Sequence, residues 1–181
     1  VYRNILALNL TLNSLTNVTI CADVLSDVVG TVKFSVAEDA AYSSIKPTGR
    51  KDESASLVMK SRTLDDVFAK KDQRVDVLKI DVEGAELMVL KGGGDLLSNP
   101  KLRPRAILVE LDSKNEAVYG YKPEDIIQYM KVYGYCVYSI LTNSIEEGWP
   151  QKGCTENALF LWKPKSSDDK SLARNQSEDR V

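Results

Sequence analysis

Three strand-like stretches of this chain each run into a carboxylate. Residues 18–22 lead to Asp23, residues 75–80 to Asp81, and residues 106–109 to Glu110, with Glu83 two positions beyond Asp81. In an open α/β sheet, ligands bind outside the carboxyl ends of the strands. If the three stretches are strands of one such sheet, their acids line one edge and make a polar pocket above an apolar floor. Such a pocket suits a ligand rich in donors or positive charge, and its carboxylates could exchange protons with a substrate. A purely local explanation competes for Asp81 and Glu83: near a helix N-terminus a carboxylate is stabilised by about 0.3–1 kcal/mol whatever its function.

The chain contains no histidine. That removes Ser-His-Asp and Cys-His nucleophiles, HExxH metalloprotease chemistry and His-based zinc sites, and leaves Asp, Glu, Lys and Tyr for acid–base work. Cys21, Cys136 and Cys154 form no CxxC pair and are read as reduced, buried thiols, a pattern of cytoplasmic proteins. The sequence gives no sign of a metal site, a loosely carboxylate-bound Mg²⁺ being the one left open. Gly92-Gly93-Gly94 resembles a phosphate loop in composition only. It follows a helical pattern ending near Lys91 rather than a strand, so a helix cap and turn is expected. Neither GxGxxG nor GxxxxGK[ST] occurs.

The elements that would position the acids follow from periodicity. Residues 2–12 carry Ile5, Leu8 and Leu12 at helical spacing. Strands are expected over 18–22, over 31–36 where apolar and polar residues alternate, and over 57–62. Thr63 is placed to cap a helix over 64–71, whose first turn holds Asp65 and Asp66. Residues 75–80 are rich in β-branched side chains and read as a strand, and residues 105–109 are nearly continuous in apolar side chains, a run that suggests burial on both faces as in a parallel sheet. Between them, residues 81–84 turn into a helix carrying Ala85, Leu87, Met88 and Leu90. Pro123 starts a helix that Gly134 closes, and strands are expected over 135–141 and 157–162. The result is an α/β sheet, mostly parallel, with an antiparallel strand at the C-terminal end. Residues 38–56 read as a long surface loop. Residues 1–165 are expected to form the domain and residues 166–181 a disordered polar tail.

With 181 residues, 43% of them apolar, the chain fits one soluble domain with a real core. A formal net charge of -2 argues against a nucleic-acid partner, which needs clustered Lys and Arg. No stretch reaches the roughly 20 apolar residues of a membrane span, and the Asn-X-Ser/Thr triplets at Asn9, Asn17 and Asn175 carry little weight. Oligomeric state is not legible.

The segment Lys79-Ile80-Asp81-Val82-Glu83-Gly84-Ala85-Glu86, with Val89-Leu90-Lys91-Gly92 after it, resembles the central signature of FkbM-type methyltransferases. Flanking pieces resemble that family in order: Asn9 and Asn13, Asn17-Val18, Leu25-Ser26-Asp27 with Gly30, Arg62-Thr63-Leu64-Asp65-Asp66, Leu108-Val109-Glu110 and Asn157-Ala158-Leu159-Phe160. The resemblance spans about residues 4 to 163. It implies a class I, Rossmann-like methyltransferase fold of seven strands, with the last antiparallel. It implies methyl transfer from S-adenosylmethionine (SAM), usually to a hydroxyl oxygen of a sugar or polyketide-type product. By analogy, Asp23 would lie near the adenine, Asp81 would face the methionine end of the cofactor or the substrate, and Glu83 and Glu110 would line the acceptor side. Which of Asp81, Glu83 and Glu110 is the base stays open. The family's first strand, its glycine-rich cofactor loop and the ribose-binding acid should precede Val1, so the chain is expected to be N-terminally truncated or degenerate. Two rivals follow: a methyltransferase-like module that binds a partner without catalysis, and an unrelated nucleotide-binding α/β domain.

Overall fold

The computed structural model describes residues 2–37, 43–47, 49 and 53–163. The 166–181 tail and about half of the expected 38–56 loop lie outside the described residues. The chain begins with helix α1 (Tyr2–Leu12). Its spacing is helical as expected, yet Ile5, Leu6, Leu8 and Leu12 are all exposed.

Two sheets follow. The first has three strands in the order β1 (Val24–Leu25), β3 (Glu53–Arg62), β2 (Gly30–Ala37). β2 and β3 form a long antiparallel pair, and β1 lies parallel to β3. β3 begins at Glu53, so the last residues assigned to a loop by their polarity belong to a strand. Their cross-strand partners on β2 supply the order that their composition does not. Residues 18–22 are the clearer correction. Their β-branched residues suggest a strand, but they pair with nothing among the described residues, and Val18 is exposed.

The second sheet has the order β4 (Val77–Ile80), β5 (Ala106–Glu110), β8 (Asn157–Trp162), β6 (Tyr135–Ile140), β7 (Ile145–Glu147). Only β4 and β5 pair in parallel; the β5–β8, β8–β6 and β6–β7 pairs are antiparallel. The expectation of one mostly parallel, seven-stranded sheet is therefore not met. The reason is topological: β8 returns between β5 and β6 and runs against both, so the expected antiparallel C-terminal strand occupies an interior position and reverses two pairings at once. β5 also departs from burial on both faces. Ile107 and Val109 are sealed, while Ala106, Leu108 and Glu110 are half-buried.

Short helices complete the layer that packs on this sheet: α2 (Leu64–Val67) with a 3₁₀ turn after it (Ala69–Lys71), α3 (Glu86–Lys91), α4 (Gly94–Ser98), α5 (Ser113–Tyr119) and α6 (Pro123–Val132). Leu64, Leu90, Leu96, Leu97, Ile126 and Met130 are sealed together with Ile107, Val109 and Phe160 of the sheet. The caps read from sequence are in place. The Thr63 hydroxyl accepts from the Asp66 amide at 3.0 Å, and Gly92 ends α3. The glycine run follows a helix and makes the expected cap and turn, and α4 begins at its last residue, Gly94. The amides there are taken by the chain itself: the Asp65 carboxylate accepts from Asp95 N at 3.0 Å and Leu96 N at 2.7 Å. An internal anion thus sits where a phosphate would have to bind.

Among the described residues, no helix is long and apolar enough to cross a membrane. The cysteines are free thiols, but none is buried as expected: Cys136 and Cys154 are half-buried and Cys21 is exposed.

Candidate active site

β4 and β5 bring two of the expected acids side by side. In their parallel register Ile80 lies opposite Val109, so the next residue of each strand, Asp81 and Glu110, leaves the same carboxyl edge. Beyond Asp81 the chain turns back at once. Glu83 takes a left-handed backbone conformation, φ 53°, and Gly84 follows at φ 99°. This turn carries the Glu83 side chain inward, where it is buried. Carboxylate oxygens of Asp81, Glu83 and Glu110 then lie within 4.8 Å of one another. Among the described residues, this is the group of acids close enough together for one cation to bridge.

Three carboxylates so close cannot all ionise freely. Asp81 is the most exposed, and its hydrogen bond with the Lys79 ammonium at 2.6 Å holds its carboxyl below the usual range. Glu110 sits deeper. Burial first, then the Asp81 charge and the hydrogen bond with Asp81, push its carboxyl up to about 7. The pair therefore divides its roles near neutral pH: Asp81 stays anionic, while Glu110 is poised to take or release a proton. Environments that drive two acids apart in this way are a frequent mark of acid–base sites.

Asp23 is not brought into this group. It follows the unpaired segment rather than a strand end, and its carboxylate lies 3.9 Å from the Arg62 guanidinium at the margin of the first sheet. Arg62 is held in turn by Asp66 at 2.7 Å.

Two features of the site escape a reading of the sequence. The first is Glu86, which spacing places on a helix away from the strand end. Its side chain folds back on its own turn: one carboxylate oxygen accepts from Val82 N at 3.1 Å and from Gly84 N at 3.2 Å. The other lies 3.2 Å from the Tyr121 hydroxyl, which donates to the Gly84 carbonyl. Glu86 is buried, and burial raises its carboxyl above the usual range. The second feature is α5. Asn115 on this helix donates to Glu83 Oε2 at 2.7 Å. Asn115 O and the Tyr119 ring also stand 2.8 Å from where a side chain on Gly84 would begin. The signals for α5 were present: Asp112 caps its start by accepting from Lys114 N at 2.9 Å, and Gly120 closes it at φ 83°.

Glu116, one residue beyond Asn115, is sealed from solvent, and neither carboxylate oxygen has a hydrogen-bond partner. Burial, followed by the charges of Glu86, Asp112, Glu124 and Asp125, pushes it up to about 8. The folded protein thus holds Glu116 protonated at neutral pH. The stabilisation belongs to the protonated form. It is complete below the ordinary carboxyl range and is lost as pH rises through about 8. Glu110 adds to the same trend at lower pH. Thermal unfolding should therefore show stability falling from about pH 5 to 8.5, on the order of a few kcal/mol in total. Glu116→Gln, which mimics the protonated acid, should flatten that slope and raise the melting temperature at the alkaline end. Parallel slopes for the two proteins would show that Glu116 is not the group responsible.

Residues 2–137, more than half of the chain, match the family model described as the Methyltransferase FkbM domain. No curated protein and no solved structure matches the chain. The matched segment includes β4, β5, α5 and all three clustered acids, and on that match this chain belongs to the FkbM methyltransferase family.

Proposed function

We propose that the chain is a SAM-dependent O-methyltransferase that acts on a hydroxyl of a sugar or small natural product. The observation that carries the reading is the carboxylate group at the β4–β5 edge, which is anionic at Asp81 and protonatable at Glu110. SAM, when bound, would supply an electrophilic methyl on a sulfonium that departs as a neutral thioether. The donor set suits the cationic end of that cofactor, since a fixed Asp81 carboxylate favours a positive charge nearby. Asp81 and Glu83 would orient the sulfonium and the acceptor. Glu110, when ionised, would take the hydroxyl proton as the oxygen gains its new bond to carbon. Much of the acceleration in such a displacement comes from holding oxygen, carbon and sulfur in line. Asp23 is proposed for the adenine side of the cofactor by analogy with the family alone.

The test uses the full-length chain with SAM and a panel of glycans and small hydroxyl compounds, reading acceptor-dependent release of S-adenosylhomocysteine. Methylation at an oxygen of one of them is the expected result. SAM binding without transfer to any acceptor would favour a non-catalytic module, and failure to bind SAM would remove the reading.

A further inference from the structure

The turn between β4 and α3 has an unusual internal support. Glu83 occupies a left-handed conformation that is costly for a residue with a side chain. A turn of this kind persists only when its surroundings hold it. Among the described residues several holders are identifiable. Glu86 collects the amides on both sides of Glu83, at Val82 and at Gly84. Tyr121, from beyond α5, donates to the Gly84 carbonyl and touches the second Glu86 oxygen. Its own hydroxyl is met by Leu87 N at 3.4 Å. Asn115 then fixes the Glu83 carboxylate itself. Neither Glu86 nor Tyr121 belongs to the carboxylate group; Glu86 is buried and Tyr121 half-buried.

We propose that Glu86 and Tyr121 are positioning residues that clamp the Asp81–Gly84 turn and thereby aim Glu83 at the Asp81–Glu110 pair. In the methyl-transfer reading, on which this role rests, they act through Glu83 and touch neither cofactor nor acceptor. Acceptance of two amide protons requires an oxygen rather than a negative charge. Glutamine at position 86 keeps that oxygen, and its amide group can donate to the Tyr121 hydroxyl. Alanine keeps neither.

In the full-length chain, Glu86→Ala and Tyr121→Phe should each lower kcat by about 10-fold or more and leave KM within about twofold, the pattern of a lost transition-state interaction. Glu86→Gln should recover most of the rate. In a Glu83→Gln background, Glu86→Ala should cost little further, because both changes disable the same side chain. A readout that needs no turnover accompanies these. By carboxyl ¹³C NMR the Glu110 midpoint should fall by about half a unit or more in Tyr121→Phe, a change that removes no charge, because the Glu83 carboxylate moves away. If Glu86→Ala fails to fold, Tyr121→Phe carries the test. The clamp is overturned if Tyr121→Phe leaves the Glu110 midpoint in place, or if Glu86→Gln is as impaired as Glu86→Ala. Absence of methyl transfer in the wild-type chain would remove the functional reading while the NMR comparison still decides the clamp.

Discussion

Asp81→Asn in the full-length chain should lower methyl-transfer turnover by about 100-fold or more while the fold persists, the scale expected when a site loses a positioned charge or its acid–base partner. The substitution keeps the shape of the side chain and removes the charge. Its structural cost is small, because the Asp81–Lys79 pair is more than two-fifths exposed on both sides, at 43% and 57%, and exposed pairs contribute about 0–1 kcal/mol. The chemical cost is larger, because Asp81 both supplies the fixed negative charge of the group and raises Glu110. Asp76→Asn is the matched control. It removes the same charge from the opposite end of β4, where Asp76 is exposed and paired with Arg74 at 2.8 Å. Comparable losses in both variants would mean that net charge, not the site, sets the rate, and full activity in Asp81→Asn would remove Asp81 from the mechanism.

Gly84→Ala should destabilise the domain by about 3 kcal/mol. A methyl group there would meet Asn115 O and the Tyr119 ring edge at 2.8 Å, and the backbone stands at φ 99°. The left-handed conformation alone costs about 1 kcal/mol for alanine. The remainder is the forced separation of α5 from the β4–α3 turn, which also breaks the seat of the Glu83–Asn115 hydrogen bond. Gly120→Ala separates the two contributions, since Gly120 stands at φ 83° with nothing within 4 Å of the added carbon. Thermal or urea unfolding should show a drop of about 10 °C for Gly84→Ala and about a third of that for Gly120→Ala. Equal drops would mean that backbone strain accounts for both and that α5 does not press on the turn.

The carboxylate edge was legible in the sequence because parallel strands announce themselves. Residues 75–80 are rich in β-branched side chains and residues 106–109 are an apolar run, both stretches are too short for helices, each ends in an acid, and one register puts both acids on one edge. The Thr63 cap was legible from local chemistry too, since a hydroxyl followed by Asp65 and Asp66 suits the start of a helix. What stayed hidden depended on partners remote in sequence. Residues 18–22 have the composition of a strand, but a strand also needs a neighbour to pair with, and composition is blind to that. The departure from a parallel sheet arises from where β8 inserts, which no local pattern encodes. β7 escaped because its three residues are all exposed and two of them are Glu. Spacing places Glu86 within the helix and away from the strand end because it fixes only the Cα, whereas a side chain at the first helical position can reach back over the turn before it. The buried Glu116 was equally silent: nothing in the sequence around an acid says that its neighbours will close over it.

The most direct test of the central claim, that the β4–β5 carboxylates are the acid–base centre of a methyltransferase, is the pH dependence of kcat for wild type and Asp81→Asn in the full-length chain. If Glu110 must be ionised to accept the hydroxyl proton, the wild-type rate should rise through an apparent midpoint near its value of about 7 and level off above it. In Asp81→Asn the remaining activity should rise at a lower pH, because the neighbouring charge that holds the proton on Glu110 is gone. A wild-type rate that is flat from about pH 5.5 to 8.5, or a midpoint that stays in place when the Asp81 charge is removed, would contradict the account.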